Sequence, residues 1–399
     1  MSILAGIRVL DLATYIAAPA AATVMSDFGA EVIKVERPPY GDPYRSLTLV
    51  PGMPISKEQY CWLLDSRNKK SIGLDLSAEA SAEVIGKLVC WADVLITNFQ
   101  PRQLRKFHLT YEDLEPRNGR LIYASVTGYG ETGEDADKPG YDATAYWARS
   151  GLMALMHNAG SDPVQSPAGF GDHPTSMALF GGIMMALYQR EKTGKGMKVT
   201  TSLMANGAWA NSCQIQTAFV QAEWAVRRNR LYPNNPLINH YMTRDGQRIL
   251  FCLLEPERDW HRLCEALGWQ TTAPDPRFHT PESRRDNAAA LVALLDAEIA
   301  KQTLTQWGKV FRRHEVIWGQ VPGIHEVAND PVMEQQGVFM EMEDAPWRTV
   351  MSPIDIAGEK KIRPRLAPKV GQHSAEILQL LGYEEEKIRQ LQRCGAVTG

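Results

Sequence analysis

The sequence predicts an α/β fold whose larger domain contains a Rossmann-like parallel sheet. Strand and helix patterns alternate through the first third of the chain, beginning with a buried strand pattern, IRVLDLA, at residues 7–13. A helix pattern that ends at Gly29 and a second strand pattern at residues 30–36 complete a strand–helix–strand unit. Units of this kind favour a parallel sheet with helices on both faces.

The alternation continues with strand patterns at residues 71–76, 93–99 and 121–130 and a helix pattern at residues 77–92. Ligands of such sheets bind at the loops beyond the carboxyl ends of the strands. We therefore expect the functional site in the loops that begin at residues 14, 37, 98 and 127. No G-x-G-x-x-G follows the first strand and no P-loop sequence is present, which argues against a dinucleotide site.

An acidic residue lies at the start of a later helix pattern. Asp172 follows Gly169 and Gly171 in the stretch AGFGDHPTSMALFGG, and apolar residues then recur at helical spacing until Gly194. Aspartate is favoured at a helix cap, where its carboxylate accepts a backbone N–H. Such N–H groups would also keep the pKa of Asp172 low. This stretch alone allows two interpretations, a plain helix cap or the centre of the chemistry.

The character of the chain changes near Arg227. The segment that follows is basic and polar, predicts a hairpin around residues 245–246, and then contains helix patterns at residues 258–268, 285–302 and 304–315. We predict a smaller α+β domain at residues 227–327. Residues 1–226 and 328–399 would then build the larger domain from both termini of the chain.

Composition excludes several classes of function. The chain has 399 residues, 44% hydrophobic and 22% charged, with a net charge of −3, which supports neither a nucleic-acid nor a membrane partner. No signal peptide or membrane-spanning run is present, so a cytoplasmic location is expected. The six cysteines are scattered without a CxxC pair, which argues against a zinc site or a disulfide framework, and no metal is expected.

Seven segments, in order along nearly the whole chain, resemble the family III CoA transferases, a group that includes formyl-CoA transferase and carnitine CoA transferase. These segments lie at residues 4–38, 67–76, 92–101, 123–133, 139–153, 193–204 and 367–378. Within the family, the sequences YIAAPAA, GYDATAYWARSG, Gly-Asp-His and PNNP are most similar to the branch of the cinnamoyl-CoA:phenyllactate and 2-hydroxyisocaproate CoA transferases.

The resemblance implies an interlocked homodimer and a reaction that moves CoA from an acyl-CoA donor to a free carboxylate acceptor. In this family an aspartate attacks the donor thioester, forms a mixed anhydride and then becomes an aspartyl-CoA thioester. The family's aspartate corresponds to Asp172. The glycines before it, Gly169 and Gly171, would allow close approach of the acyl group, and nearby N–H groups would stabilise oxyanions.

The resemblance also implies a set of residues that contact CoA. They are Ile16, Ala17, Arg37, Leu74, Ser77, Asn98, Phe99, Lys106, Lys138 and Tyr141. Two positions depart from the family pattern, because Ile16 replaces a polar residue and Ser77 replaces a lysine. For Arg37 the alternative to a CoA contact is a surface ion pair with Glu36 or Asp42.

Two questions remain open at this level. Acyl-CoA racemases of the same fold carry a histidine where this chain has Tyr141, and tyrosine is a weak base at neutral pH, so the racemase alternative is disfavoured. His173 either contacts the acceptor or makes a structural hydrogen bond in the first helical turn. Because residues 232–241 lack the glycine run of formyl-CoA transferases, we expect a larger acceptor, a medium-sized 2-hydroxy or aryl acid.

Overall fold

A computed structural model describes residues 2–270 and 275–399, which divide into two compact units. The larger unit contains the residues up to Leu155, Gln165–Gln216 and Glu334–Gly399. The smaller unit contains Met156–Val164 and Thr217–Met333. Its limits differ from the predicted 227–327, because the change in composition at Arg227 falls inside an irregular stretch rather than at the point where the chain leaves the larger unit.

The larger unit is built on a seven-stranded sheet. Its strands are β1 (Arg8–Asp11), β2 (Glu31–Glu36), β3 (Lys70–Leu74), β4 (Val94–Thr97), β5 (Ile122–Thr127), β6 (Met197–Ser202) and β7 (Val397–Thr398). They lie in the order β7-β3-β2-β1-β4-β5-β6, and every neighbouring pair is parallel except β7 with β3. The predicted parallel sheet is confirmed, but β6 and the antiparallel edge strand β7 were not predicted, since β6 is largely polar and β7 has two residues.

Helices cover both faces of this sheet. Alternate strand residues point to opposite faces, so Val9 packs into one core and Leu10 into the other. Ala17–Asp27 and Asp172–Thr193 contribute to the first core, and Ser81–Trp91 contributes to the second. The remaining helical segments that lie within this unit are Pro43–Leu49 (3₁₀), Tyr60–Asp65, Pro101–Phe107, Tyr111–Leu114, Asp142–Ala148 (π), Leu152–Leu155, Leu203–Ala210, Ser374–Leu380 and Glu385–Arg393. A separate antiparallel pair joins Phe339–Glu341 to Arg348–Val350.

The smaller unit has its own three-stranded antiparallel sheet. Its strands are His240–Met242, Arg248–Phe251 and Trp318–Gln320, and the first two form the predicted hairpin. Its helices are Pro256–Leu267, Pro281–Asp286, Ala288–Ile299, Leu304–Arg313 and Ile324–Val327. The predicted helix at residues 285–302 is instead two helices that meet at Asn287. Two more helices, Ser212–Phe219 and Pro331–Gln335, include residues of both units.

Within the described part of the chain, no helix combines the length and the apolar character needed to cross a bilayer.

A buried cluster of charges lies beneath the loop that follows β1. Asp11, the last residue of β1, accepts a hydrogen bond from Lys69 Nζ at 2.9 Å and lies 3.6 Å from Lys34 Nζ. Lys34 Nζ is also 3.0 Å from Asp42 Oδ2, and none of these four side chains is more than 1% exposed. Burial by itself would raise the pKa of Asp11, but the two lysines hold it below its usual value. The cluster is therefore a set of paired buried ions.

This cluster sets the path of the loop that begins at residue 12. Lys34 Nζ donates to the carbonyl of Ala13 at 2.7 Å, and the Ala13 N–H donates to Asp11 at 3.1 Å. The Tyr15 N–H donates to Asp42 at 3.1 Å and holds Tyr15 at a φ of +61°, a left-handed conformation that few non-glycine residues adopt. The charges thus determine where this loop points.

We expect Lys69→Met to destabilise the larger unit by about 3–5 kcal/mol, because Asp11 would lose one of its buried partners. Urea unfolding curves measure this change. Lys70→Met is the matched control, since the adjacent Lys70 pairs with Glu31 and Glu376 on the surface and should cost less than about 1 kcal/mol. Equal losses in the two variants would contradict the importance given to the buried cluster.

Candidate functional site

The site lies where the order of strands reverses direction. The chain passes from β1 to β2 on one side of β1, whereas β4 and β5 lie on the other side, so the loops after β1 and β4 leave a crevice between them. Asn98, which follows β4, accepts a hydrogen bond from the Thr14 N–H at 2.9 Å and donates one to the Thr14 carbonyl at 2.7 Å. This amide therefore joins the two loops at the crevice.

Three adjoining cavities form a continuous groove along these loops. An outer pocket of about 640 Å³ shares Thr14, Phe99 and Gln103 with a connecting pocket of about 330 Å³. The connecting pocket shares Tyr15, Asn98 and Tyr141 with an inner pocket of about 460 Å³. The groove thus runs from the carboxyl ends of β2 and β3 to the start of the helix Asp172–Thr193.

The outer pocket contains half of the residues predicted to contact CoA. Its lining includes Arg37, Leu74, Ser77, Phe99 and Lys106. The alternative for Arg37 was an ion pair, but Glu36 pairs with Arg45 at 2.8 Å and Asp42 pairs with Lys34 at 3.0 Å. Within the described residues, the guanidinium of Arg37 forms no ion pair and is exposed.

The rest of the predicted set lies further along the groove. Asn98, Lys138 and Tyr141 line the connecting pocket, and Ile16 and Ala17 line the inner pocket. The structure therefore brings all ten predicted CoA-contact residues to this one groove.

Asp172 lies at the inner end of the groove, but it is not the helix cap that the sequence suggested. Gly171 is the cap residue, and Asp172 is the first residue of the helix. Its half-buried carboxylate lines the inner pocket beside Gly169. Among the described residues, no side chain or backbone group donates a hydrogen bond to this carboxylate. This carboxylate therefore faces the groove without a hydrogen bond from the described residues to hold it.

The expectation of a low pKa for Asp172 is wrong. Burial and, after it, the negative charges of Asp142 and Asp65 raise the pKa of Asp172 to about 7, although the charge of His173 opposes them. The physical reason is that the helix begins one residue too early for Asp172 to accept N–H bonds, so burial is not compensated.

Asp142 and Gly171 are linked on the wall of the site. The Gly171 N–H lies 3.4 Å from Asp142 Oδ2, and the Ala143 N–H donates to Asp142 Oδ1 at 2.7 Å. A Cβ atom at Gly171 would come within 2.4 Å of Cγ of Tyr146. Gly171 is therefore buried against Tyr146 with its N–H directed to Asp142, so it is not the free oxyanion donor that we expected.

His173 makes structural hydrogen bonds, one of its two predicted alternatives. Its Nδ1 lies 3.1 Å from the carbonyl of Gly169, and its Nε2 lies 3.1 Å from Asp65 Oδ1. The imidazole lines a separate cavity of about 430 Å³ with Asp65 and Arg67 rather than the inner pocket. Burial alone would lower the pKa of His173, but the hydrogen bond to Asp65 and the charge of that residue raise it to about 8.

Sequence reasoning missed the residues that act on this site from distant segments. Asp65 contacts His173 across a separation of more than a hundred residues, and Tyr44 donates to Asp65 at 2.7 Å from another loop. No local pattern marks either residue. Asp142 carried a local signal, since it follows Tyr141 in a segment shared with the family, but its effect on Asp172 depends on their proximity in space.

Comparison with known proteins agrees with this geometry. A model of CoA-transferase family III matches residues 4–374. The chain is 31% identical over 392 residues to (R)-2-hydroxy-4-methylpentanoate CoA-transferase of Clostridioides difficile, with 97% of each chain covered. It is 31% identical over 394 residues to cinnamoyl-CoA:phenyllactate CoA-transferase of Clostridium sporogenes, with 97% of this chain and 95% of that one covered.

A solved structure shows the same fold. The crystal structure of a CAIB/BAIF family protein from Brucella suis has a TM-score of 0.83 and 29% sequence identity, and covers 95% of this chain and 99% of the other. The resemblance drawn from the seven ordered segments is confirmed. The chain belongs to CoA-transferase family III and is a CoA-transferase.

Proposed function

We propose that this enzyme moves CoA from an acyl-CoA to a free carboxylic acid through a thioester on Asp172. The observation that carries the proposal is the position of the Asp172 carboxylate, which accepts no hydrogen bond from the residues that the structure describes and lies at the inner end of a groove lined by every predicted CoA-contact residue. Covalent catalysis by a carboxylate needs this combination of access and freedom from other partners.

The chemistry follows in four displacements at carbonyl carbon. The Asp172 carboxylate attacks the donor thioester, the C–S bond breaks, and CoA thiolate leaves a mixed anhydride. The thiolate attacks the aspartyl carbon of that anhydride, which releases the donor acid and forms the aspartyl-CoA thioester. The acceptor carboxylate attacks this thioester and again releases thiolate. The thiolate then attacks the acceptor's acyl carbon, which frees Asp172 and forms the product thioester.

Burial of Asp172 supports this role. A carboxylate whose pKa is raised to about 7 is more basic than an ordinary aspartate and still ionises near neutral pH. Ala17 begins another helix at the same pocket, and its cap residue, Ile16, makes no side-chain hydrogen bond. The free N–H groups of that first turn are the oxyanion donors that we propose in place of Gly171.

The groove suits the parts of CoA in order. We assign the phosphates to Arg37 and Lys106 in the outer pocket, because cationic side chains bind phosphates. Within the described residues Arg37 forms no ion pair that a phosphate would have to displace. The pantetheine arm would follow Phe99, Asn98 and Tyr141 to Asp172. Lys138 faces the connecting pocket between them.

We further propose a medium-sized 2-hydroxy or aryl acid as the acceptor. The lining of the inner pocket also includes Leu47, Val50 and Leu203, which suit an apolar acyl group. The two relatives carry the names of transferases for a hydroxy acid and for phenyllactate. The racemase alternative lacks the histidine on which it depends, because no histidine is among the described residues that line the inner pocket.

We propose that the working enzyme is the interlocked homodimer that the family resemblance implies. Large apolar side chains are exposed on two helices of the larger unit, namely Met185 and Tyr188 on Asp172–Thr193 and Trp209 on Leu203–Ala210. Exposed apolar patches of this kind favour an interface between protein chains.

Asp172→Ala should abolish CoA exchange between donor and acceptor, with a loss of at least about a thousandfold, because no other group can form the thioester. Incubation with an acyl-CoA followed by hydroxylamine should label Asp172 in the unchanged enzyme, as peptide mass spectrometry would show. Asp162→Ala, at an exposed loop position, is the control and should retain exchange. Exchange at the normal rate in Asp172→Ala, or α-proton exchange without CoA transfer, would refute the proposal.

Asp142→Asn should move the low-pH decline in activity to lower pH. The Asp142 charge raises the pKa of Asp172, so its removal lowers that pKa and increases the ionised fraction of Asp172 below pH 7. The measurement is the rate of Asp172 acylation between pH 5 and pH 9, a range of about two units on either side of that pKa. Glu134→Gln, which removes an exposed carboxylate, should leave the profile in place, and a shift to higher pH in Asp142→Asn would contradict this account.

Arg37→Gln should raise KM for the acyl-CoA donor by about tenfold and change kcat little, since a phosphate contact binds ground state and transition state alike. Steady-state kinetics measure the two constants. Arg102→Gln is the control, because Arg102 lies outside the outer pocket and should leave KM unchanged. An unaltered KM in Arg37→Gln would remove this residue from the CoA site.

A further inference from the structure

The carboxylate of Asp65 is buried and depends on a histidine for its charge balance. Its side chain is 4% exposed, accepts a hydrogen bond from the Tyr44 hydroxyl at 2.7 Å, and lies 3.1 Å from Nε2 of His173. Within the described residues, no lysine or arginine forms an ion pair with it. The nearby Lys69 is paired with Asp11, and Arg67 is paired with Asp27. A buried carboxylate is stabilised by a cationic partner, and the His173 ring, 3.1 Å away, is placed to be that partner.

The imidazole of His173 meets two acceptors at once. Nδ1 faces the carbonyl oxygen of Gly169 and Nε2 faces the carboxylate of Asp65, both at 3.1 Å. A neutral imidazole has a single N–H, so it could donate a hydrogen bond to only one of these oxygens. The lone pair of its other ring nitrogen would then face the second oxygen, and the two would repel each other. Only the doubly protonated ring satisfies both contacts.

We propose that His173 is a positioning residue, held as an imidazolium between Asp65 and the Gly169 carbonyl, which supplies the positive charge that keeps Asp172 ionised. This inference rests on the proposed role of Asp172 as nucleophile. His173 does not line the inner pocket, so it acts through Asp172 and the adjacent turn rather than by touching the acceptor.

The turn before Asp172 depends on the same ring. Gly169 has a φ of +78°, and a Cβ atom there would come within 3.2 Å of Cε1 and Nδ1 of His173. The Gly169 carbonyl also accepts the backbone N–H of His173 at 3.2 Å. Gly169 lines the inner pocket, so the imidazolium fixes the backbone that borders the reacting carboxylate.

The charges around His173 and Asp172 show why the charge of His173 matters for the pKa of Asp172. The titratable and charged groups near the His173 imidazole and the Asp172 carboxylate are Tyr44, Cys61, Asp65, Arg67 and Asp142. Asp65 and Asp142 raise the pKa of Asp172, and His173 is the group that lowers it. Arg67 is held by Asp27 at 2.7 Å and does not take over this role.

The first test is the pH dependence of Asp172 acylation in His173→Gln. Loss of the positive charge should move the low-pH decline to higher pH, the opposite direction from Asp142→Asn. We expect about a tenfold loss of rate at pH 6.5, the change in ionised fraction that one pKa unit produces, and less than about a threefold loss at pH 9. His279→Gln, an exposed position in the smaller unit, is the control. An equal loss at every pH, or no loss at pH 6.5, would overturn the proposal.

The second test does not require turnover. Nitrogen NMR of the histidine-labelled enzyme, with His173 assigned by its absence in His173→Gln, should show both ring nitrogens protonated at pH 7. In Asp65→Asn the pKa of the ring should fall and the doubly protonated fraction at pH 7 should decrease, because the hydrogen bond to Asp65 and the charge of that residue are the main causes that raise it. A neutral His173 in the unchanged enzyme would overturn the proposal. Failure to label Asp172 with acyl-CoA would instead overturn the proposed function, so the two failures are distinct.

Discussion

The site depends on four buried charges beneath the loop that follows β1, namely Asp11, Lys34, Asp42 and Lys69. Desolvation of these ions is costly and is offset only when every one is paired, so the cluster permits a single arrangement of the loop after β1. That loop carries Tyr15 in its left-handed conformation and leads directly into the helix whose first turn borders the inner pocket.

Electrostatics then distinguish the two ends of the groove. The outer pocket is lined by Arg37, which forms no ion pair within the described part of the chain, and by Lys106, and we propose that these cations bind the phosphates of CoA. Asp142 and Asp172 line the inner pocket, and the charges of Asp142 and Asp65 both raise the pKa of Asp172. That pKa therefore reaches about 7, and the charge of His173 opposes the rise.

Much of the fold was accessible from local patterns. Apolar strand patterns predicted β1 to β5, and the family resemblance identified residues that the structure brings to one groove. The patterns failed at β6, whose residues are largely polar, and at β7, whose two residues are too few to show an alternation of apolar and polar side chains. They also misplaced the helix cap by one residue, since Gly171 and not Asp172 is the cap. Capping signals in a sequence do not locate a helix end to within a single residue.

By itself the sequence determined the alternation of strands and helices, the position of the aspartate that we propose as nucleophile, and membership of a family, since each depends on residues that are near one another in the chain. Only the tertiary structure decided the electrostatic state of that aspartate. The pKa of Asp172 reflects burial and the charges of Asp142, His173 and Asp65, and Asp65 reaches the site from a different helix. Coulomb energies depend on distance in space and on exclusion of water, neither of which a linear pattern of residues contains.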